Sequence, residues 1–131
     1  MSLDLSKKVV TVRPDQTIAT KQNLPYYVGI STETAGAVGL SMNLVVIPPG
    51  ASSKAHYHKD FETAIYLLKG RVETRFGENL KESVINEEGD FIFIPQGVPH
   101  KPVNLSDSES ALAIVSRNDP NEHENVVPYE P

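Results

Sequence analysis

The sequence contains no cysteine. That excludes disulfides, thiolate-ligated zinc, iron–sulfur clusters and thiol catalysis together. It has no run of five or more basic residues, and its formal net charge is −5. No nucleic-acid partner is expected, because neutralising phosphates needs clustered Lys and Arg. No apolar stretch approaches the roughly 18 residues that cross a bilayer as a helix, so no membrane partner is expected. The segment Met1-Ser2-Leu3-Asp4-Leu5-Ser6-Lys7-Lys8 lacks the apolar core of a signal peptide. A cytoplasmic location is the expectation. Also missing is any helical apolar stripe over ten or more residues.

What is present is β structure, finely punctuated. The 131 residues suit one domain. The 10 prolines and 8 glycines are spread along the chain rather than gathered in one run. Short strands are expected between them, at Val9–Arg13, Pro25–Ile30, Ser41–Ile47 and Thr63–Leu68. Further strands are expected at Arg71–Phe76, Leu80–Asn86, Phe91–Ile94, His100–Asn104 and Ala111–Ser116. Arg71–Phe76 alternates Val72, Thr74 and Phe76 with charged residues, the pattern of a strand with one wet face. Residues 31–40 read as a flexible loop, and Arg117–Pro131 as a polar extended arm. Many short strands at this spacing make a sandwich or barrel. The interior is expected to hold Val45, Ile47, Val72, Phe76, Phe91 or Phe93, and Ile114.

Three of the four histidines fall within 45 positions. His56 and His58 are two apart, which on a strand turns both imidazoles to one face. Glu62 follows four residues later, and a carboxylate beside two imidazoles suits first-row divalent ions. His123 lies in the polar tail and reads as a surface residue. Tyr26, Tyr27 and Tyr129 read as packing or interface groups, and Tyr57 should point away from its two histidine neighbours.

Two stretches fill the two signature motifs of the cupin superfamily. In the first, Gly50 is followed by five residues, His56-Tyr57-His58, three residues, Glu62, and then Gly70. In the second, Gly89 is followed by five residues, Pro95-Gln96-Gly97, two residues, His100, three residues and Asn104. The chain thus resembles a small single-domain cupin over residues 41–117. The resemblance implies an all-β, double-stranded β-helix (jelly-roll) barrel. Residues 1–40 would supply N-terminal strands and a loop packing on a core of 41–117, with 118–131 as an extended arm. It implies one divalent metal, Mn, Fe, Ni or Zn, on His56, His58, Glu62 and His100.

One register departs from the motif. Seven residues separate Glu62 from Gly70 where six are expected, and six separate Thr63 from Gly70. Either Glu62 is a ligand and a β-bulge near residues 62–64 absorbs the extra residue, or Thr63 faces the metal and Glu62 points away. Glu62 is the expected ligand. Resemblance to small cupins implies a metal-dependent enzyme acting on a small organic molecule. A dioxygenase-type oxidoreductase comes first, with decarboxylase and isomerase behind. The alternative is a non-catalytic ligand-binding or sensor cupin. A homodimer is the expected assembly.

Overall fold

The computed structural model describes residues 3–13, 18–19, 24–121 and 126–131. Among these described residues eleven strands run in chain order: β1 Ile18–Ala19, β2 Pro25–Ile30, β3 Ser41–Ile47, β4 His56–Tyr57, β5 Thr63–Lys69 and β6 Arg71–Phe76. They continue as β7 Glu82–Glu87, β8 Phe91–Ile94, β9 His100–Asn104, β10 Ala111–Arg117 and β11 Val127–Pro128. Every pairing is antiparallel. One sheet has the order β1-β2-β3-β10-β5-β8 and the other β11-β4-β9-β6-β7. Two antiparallel sheets facing each other with these crossovers form a jelly-roll barrel.

Most strand bounds agree with the sequence reading to within two residues. Val9–Arg13 does not. It takes no regular structure, and Val9 is 98% exposed. Its β-branched residues suit a strand, but among the described residues no strand pairs with it, and an unpaired strand has no ladder to hold it. Residues 31–40 are more ordered than a loop. Ser31 caps a single helical turn at Thr32–Ala35: its hydroxyl accepts from the Thr34 N–H, and the Thr34 hydroxyl accepts from the Ser31 N–H. Gly36 ends the turn with φ +73°, a left-handed cap that glycine adopts without strain. Part of the C-terminal arm is a strand, since Val127–Pro128 pairs with β4. His123 lies outside the described residues.

Between the sheets Leu24, Ile47, Leu67, Val72, Ala111, Ala113 and Val115 form the buried core. Strands β8 and β10 are apolar on both faces, so hydrophobicity alone does not say which residues point in. The structure buries Ile94, Ala113 and Val115, and turns Phe91, Phe93 and Ile114 outward. The expected interior places for Phe91, Phe93 and Ile114 are therefore corrected. Cross-strand pairing lines up Tyr27, Leu44, Ile114, Tyr66 and Phe91 in one outward row over five strands. Phe91 is 85% and Phe93 60% exposed.

Two devices lock the ends of the signature segments. The buried Asn104 amide donates to the carbonyls of Ile47 (2.9 Å), Pro48 (3.2 Å) and Glu109 (2.9 Å), and its Oδ1 accepts from the Ser106 N–H (2.9 Å). One side chain thus fixes the loop after β9 against the end of β3. The Gly97 N–H donates to the His58 carbonyl at 2.8 Å, tying the β8–β9 turn to the His-x-His segment. Gly97 holds φ +76°, a conformation costly for other residues.

Candidate metal centre

His56 lies in β4 and His100 opens β9, and the two are direct cross-strand partners. Facing residues of an antiparallel pair put their side chains on the same face. His58 follows β4 two positions after His56, so it returns to that face, while Tyr57 between them is only half-buried. All three histidines are buried. Ring centroids are 4.4 Å apart for His56–His100, 5.2 Å for His56–His58 and 5.7 Å for His58–His100. One ring nitrogen from each can be chosen so that all three lie within 4.8 Å of one another.

The backbone fixes how two of the rings present themselves. His56 Nδ1–H donates to the Lys54 carbonyl at 2.7 Å, and His100 Nδ1–H donates to the Val98 carbonyl at 2.9 Å. A carbonyl only accepts, so the proton is on Nδ1 and Nε2 keeps its lone pair when the ring is neutral. Nδ1–H held by a carbonyl is the support that orients a metal-ligating histidine. The His56 pKa is lowered from 6.5 to about 4. Burial is the main cause, because it disfavours the imidazolium. The Lys54 carbonyl opposes the shift, and the positive charge of Arg117 adds to it. His56 is therefore neutral at pH 7, the form a metal needs. The Nε2 of His58 is buried and has no protein hydrogen bond at that atom, though the residue has other contacts. Three convergent imidazoles on the barrel wall fit a divalent ion such as zinc or iron.

Glu62 is not brought to this cluster. Its side chain is exposed, and its backbone N–H donates to Asn118 Oδ1 at 2.8 Å. Thr63 takes the inward place, 1% exposed, at the start of β5. Strand β5 pairs with β8 without a break from Thr63 to Tyr66, Thr63 with Ile94 and Ala64 with Phe93. Its register shift against β10 lies between Leu112 and Ala113, at the far end of the strand. No bulge near residue 62 turns the carboxylate inward, and the motif counts correctly back from Gly70 to Thr63.

His56 and His100 line a cavity of about 80 Å³. Leu24, Val45, Ile65, Ile94 and Val115 give it an apolar wall. Its polar lining is Ser53, Thr63, Thr74, His56, His100 and Arg117. Arg117 is buried, and its Nε–H donates to Thr63 Oγ1 at 2.9 Å. Sequence reading placed Arg117 at the head of a polar tail. The signal that finds it is parity: Ala111, Ala113 and Val115 point inward along β10, and the next inward position is Arg117. Thr63 and Arg117 also border a second, more open groove with Gly39, Leu40, Glu62 and Asn118. They therefore stand between the cavity and that groove.

The model of the cupin domain matches residues 43–116. Germin-like protein subfamily 3 member 2 of Arabidopsis thaliana is 31% identical over 77 residues, 57% of this chain and 34% of that protein. The chain thus spans about a third of that relative's length. Among solved structures, oxalate decarboxylase from Bacillus subtilis at pH 4.6 superposes with a TM-score of 0.72 at 20% identity, over 87% of this chain and 29% of that one. The formate complex of Lactobacillus farciminis oxalate decarboxylase gives 0.71 at 19%, over 86% and 33%. The cupin domain of Schizosaccharomyces pombe Cnp3 gives 0.64 at 15%, over 78% and 69%. At these identities the structural likenesses speak for the fold, and the match across both signature segments speaks for descent. The chain belongs to the cupin family.

Proposed function

We propose that this cupin binds one divalent metal ion on His56, His58 and His100, without Glu62, and acts as a metal-dependent enzyme on a small organic molecule. The observation that carries the reading is the convergence of three buried imidazoles, two of which line an apolar cavity and have Nδ1 held by backbone carbonyls. When bound there, the ion would supply Lewis acidity and open positions for water, dioxygen or substrate. The chain's own residues do the rest. Backbone carbonyls hold the His56 and His100 rings, the apolar wall excludes water, and Thr63 and Arg117 add polar groups to the cavity.

Among the described residues no carboxylate lines the cavity, so no side chain there is placed as a general base. This favours chemistry driven by the metal itself, a dioxygen-dependent oxidation, over an isomerisation or decarboxylation that needs a proton carrier. The same feature supports the second reading, a ligand-binding cupin without turnover. Elemental analysis of untagged protein tests the metal claim, with about one equivalent expected; protein that neither carries nor takes up metal would refute it. Oxygen uptake by the iron- or manganese-loaded protein with catechols, diketones and small thiols separates the two readings.

We further propose a homodimer through the outward row Tyr27, Leu44, Ile114, Tyr66 and Phe91. An apolar row over five strands that ends on an edge strand is a surface a monomer rarely leaves in water. Light scattering behind size exclusion should give twice the chain mass, and Phe91→Lys should reduce it. Among the described residues no helix is long and apolar enough to cross a membrane.

A further inference from the structure

Strand β4, which carries His56, has little pairing of its own. It is two residues long, and a single pair, His56 with His100, joins it to β9. The C-terminal arm covers its other edge: Val127 lies opposite Tyr57, and Pro128 opposite His56. The next residue of the arm continues the ladder. The Tyr129 N–H donates to the Ala55 carbonyl at 3.0 Å, and Ala55 directly precedes His56.

The side chain of the same tyrosine reaches toward the second histidine strand. Its hydroxyl accepts from the Asn79 N–H at 2.8 Å. Asn79 lies in a short 3-10 turn, Glu78–Leu80, that follows β6. Just before this turn the Gly77 N–H donates to the Pro99 carbonyl at 3.0 Å, and Pro99 directly precedes His100. Phe76, one residue earlier, is the cross-strand partner of His100. The turn itself is strained. Asn79 (φ +55°) and Leu80 (φ +53°) are left-handed in succession, though neither is glycine. Such backbone persists only where its surroundings hold it. His58 is tied elsewhere, since its carbonyl accepts from the Gly97 N–H.

We propose that Tyr129 is a positioning residue for the metal centre, a clamp at the edge of the five-stranded sheet that sets His56 against His100. Its backbone holds the segment that carries His56. Its phenol holds the turn that anchors the segment carrying His100. The proposal rests on the reading of the three histidines as the metal site. Ligand geometry tolerates errors of only about 0.5 Å, so a support that spans two ligand strands matters more than one that orients a single ring.

The test is cobalt binding, read by chelator competition and by the visible absorption of the saturated protein, whose bands report ligand geometry. Tyr129→Phe keeps the ring and removes the acceptor of the Asn79 N–H. It should weaken cobalt binding at least about threefold and alter the bands. Tyr129→Ala should weaken it at least about tenfold, the low end for loss of a support behind a metal ligand. Glu130→Ala, at an exposed neighbour on the same arm, should match the wild type in both readouts. Wild-type affinity in Tyr129→Phe would overturn the inference, as would an equal loss in Glu130→Ala. Weaker binding with unchanged bands at saturation would make Tyr129 merely stabilising and would also overturn it. Should Tyr129→Ala not fold, Tyr129→Phe decides alone. Should the protein take up no cobalt, the metal reading fails separately, and the imidazole NMR signals of the metal-free protein carry the test. Tyr129→Phe should then shift the signals of His56 and His100 and leave those of His58. Three unmoved or equally moved rings would overturn the clamp.

Discussion

The two walls of the barrel supply polar groups of opposite character. The five-stranded sheet gives imidazoles from β4 and β9, set by carbonyls two residues away in the chain, Lys54 for His56 and Val98 for His100. The six-stranded sheet gives a permanent cation, Arg117 on β10, bonded to Thr63 on β5 across 54 positions. One wall is built from local geometry and the other from tertiary pairing. The first can hold a metal by itself.

The imidazole wall should break most completely. His100→Ala removes one of three donors from a site that has no carboxylate to replace it. Metal affinity should fall by at least about 100-fold, beyond the 10–100-fold typical of losing a supporting contact. The barrel should stay folded, because the core of Leu67, Val72, Ala111 and Val115 does not depend on the ion. Metal analysis after dialysis and far-ultraviolet circular dichroism check both halves. Loss of the fold together with the metal would make the ion structural.

Acid should reveal the same wall in the metal-free protein. His56 takes up its proton at about pH 4 in the fold and near 6.5 when unfolded. Between those values the unfolded chain holds more protons, so stability falls as pH falls. The contribution of neutral His56 is complete above about pH 6.5 and is lost as pH drops through 4, about 3 kcal/mol in all. Urea unfolding of metal-free protein at pH 7 and pH 4 measures it. His56→Gln should flatten this part of the profile, and an unchanged slope would show that His56 is not the group responsible.

The opposite wall should yield less. Thr63→Val keeps the shape of the side chain and removes the oxygen that accepts from the Arg117 Nε–H. Losing a buried acceptor for a charged donor costs about 1–3 kcal/mol. Chemical denaturation should show that loss, while metal stoichiometry stays at the wild-type value. A drop in metal content would place Thr63 in the metal shell itself.

The contrast between the walls also explains what could be read from the chain. His56, His58 and His100 are legible because fixed spacings carry them: two residues along a strand, and three beyond the Pro95-Gln96-Gly97 turn. The jelly roll follows from the same punctuation. The partnership of Thr63 with Arg117 depends on the register of β5 against β10, which the sequence does not print. The faces of β8 and β10 were illegible for a related reason. Both sides of each strand are apolar, so alternation carries no signal where Phe91, Phe93 and Ile114 point outward.

Glu62 is where local spacing and tertiary register give different answers, and it makes the smallest and sharpest test. Counted forward from His58 it falls in the ligand slot; counted back from Gly70, Thr63 does. From the buried Leu67 back to Thr63 the pairing of β5 with β10 is regular, so these two residues share a face, whereas the forward count crosses residues 59–62, which belong to no strand. A count along a paired strand preserves facing, and a count through a loop does not. Glu62→Ala should therefore leave metal affinity within about twofold and stability within about 0.5 kcal/mol, as for an exposed side chain remote from the site. Its backbone N–H would still donate to Asn118, so the loop keeps its anchor. A tenfold loss of metal affinity in this variant would mean that the carboxylate swings inward when the ion binds. The three-histidine site would then have to be given up.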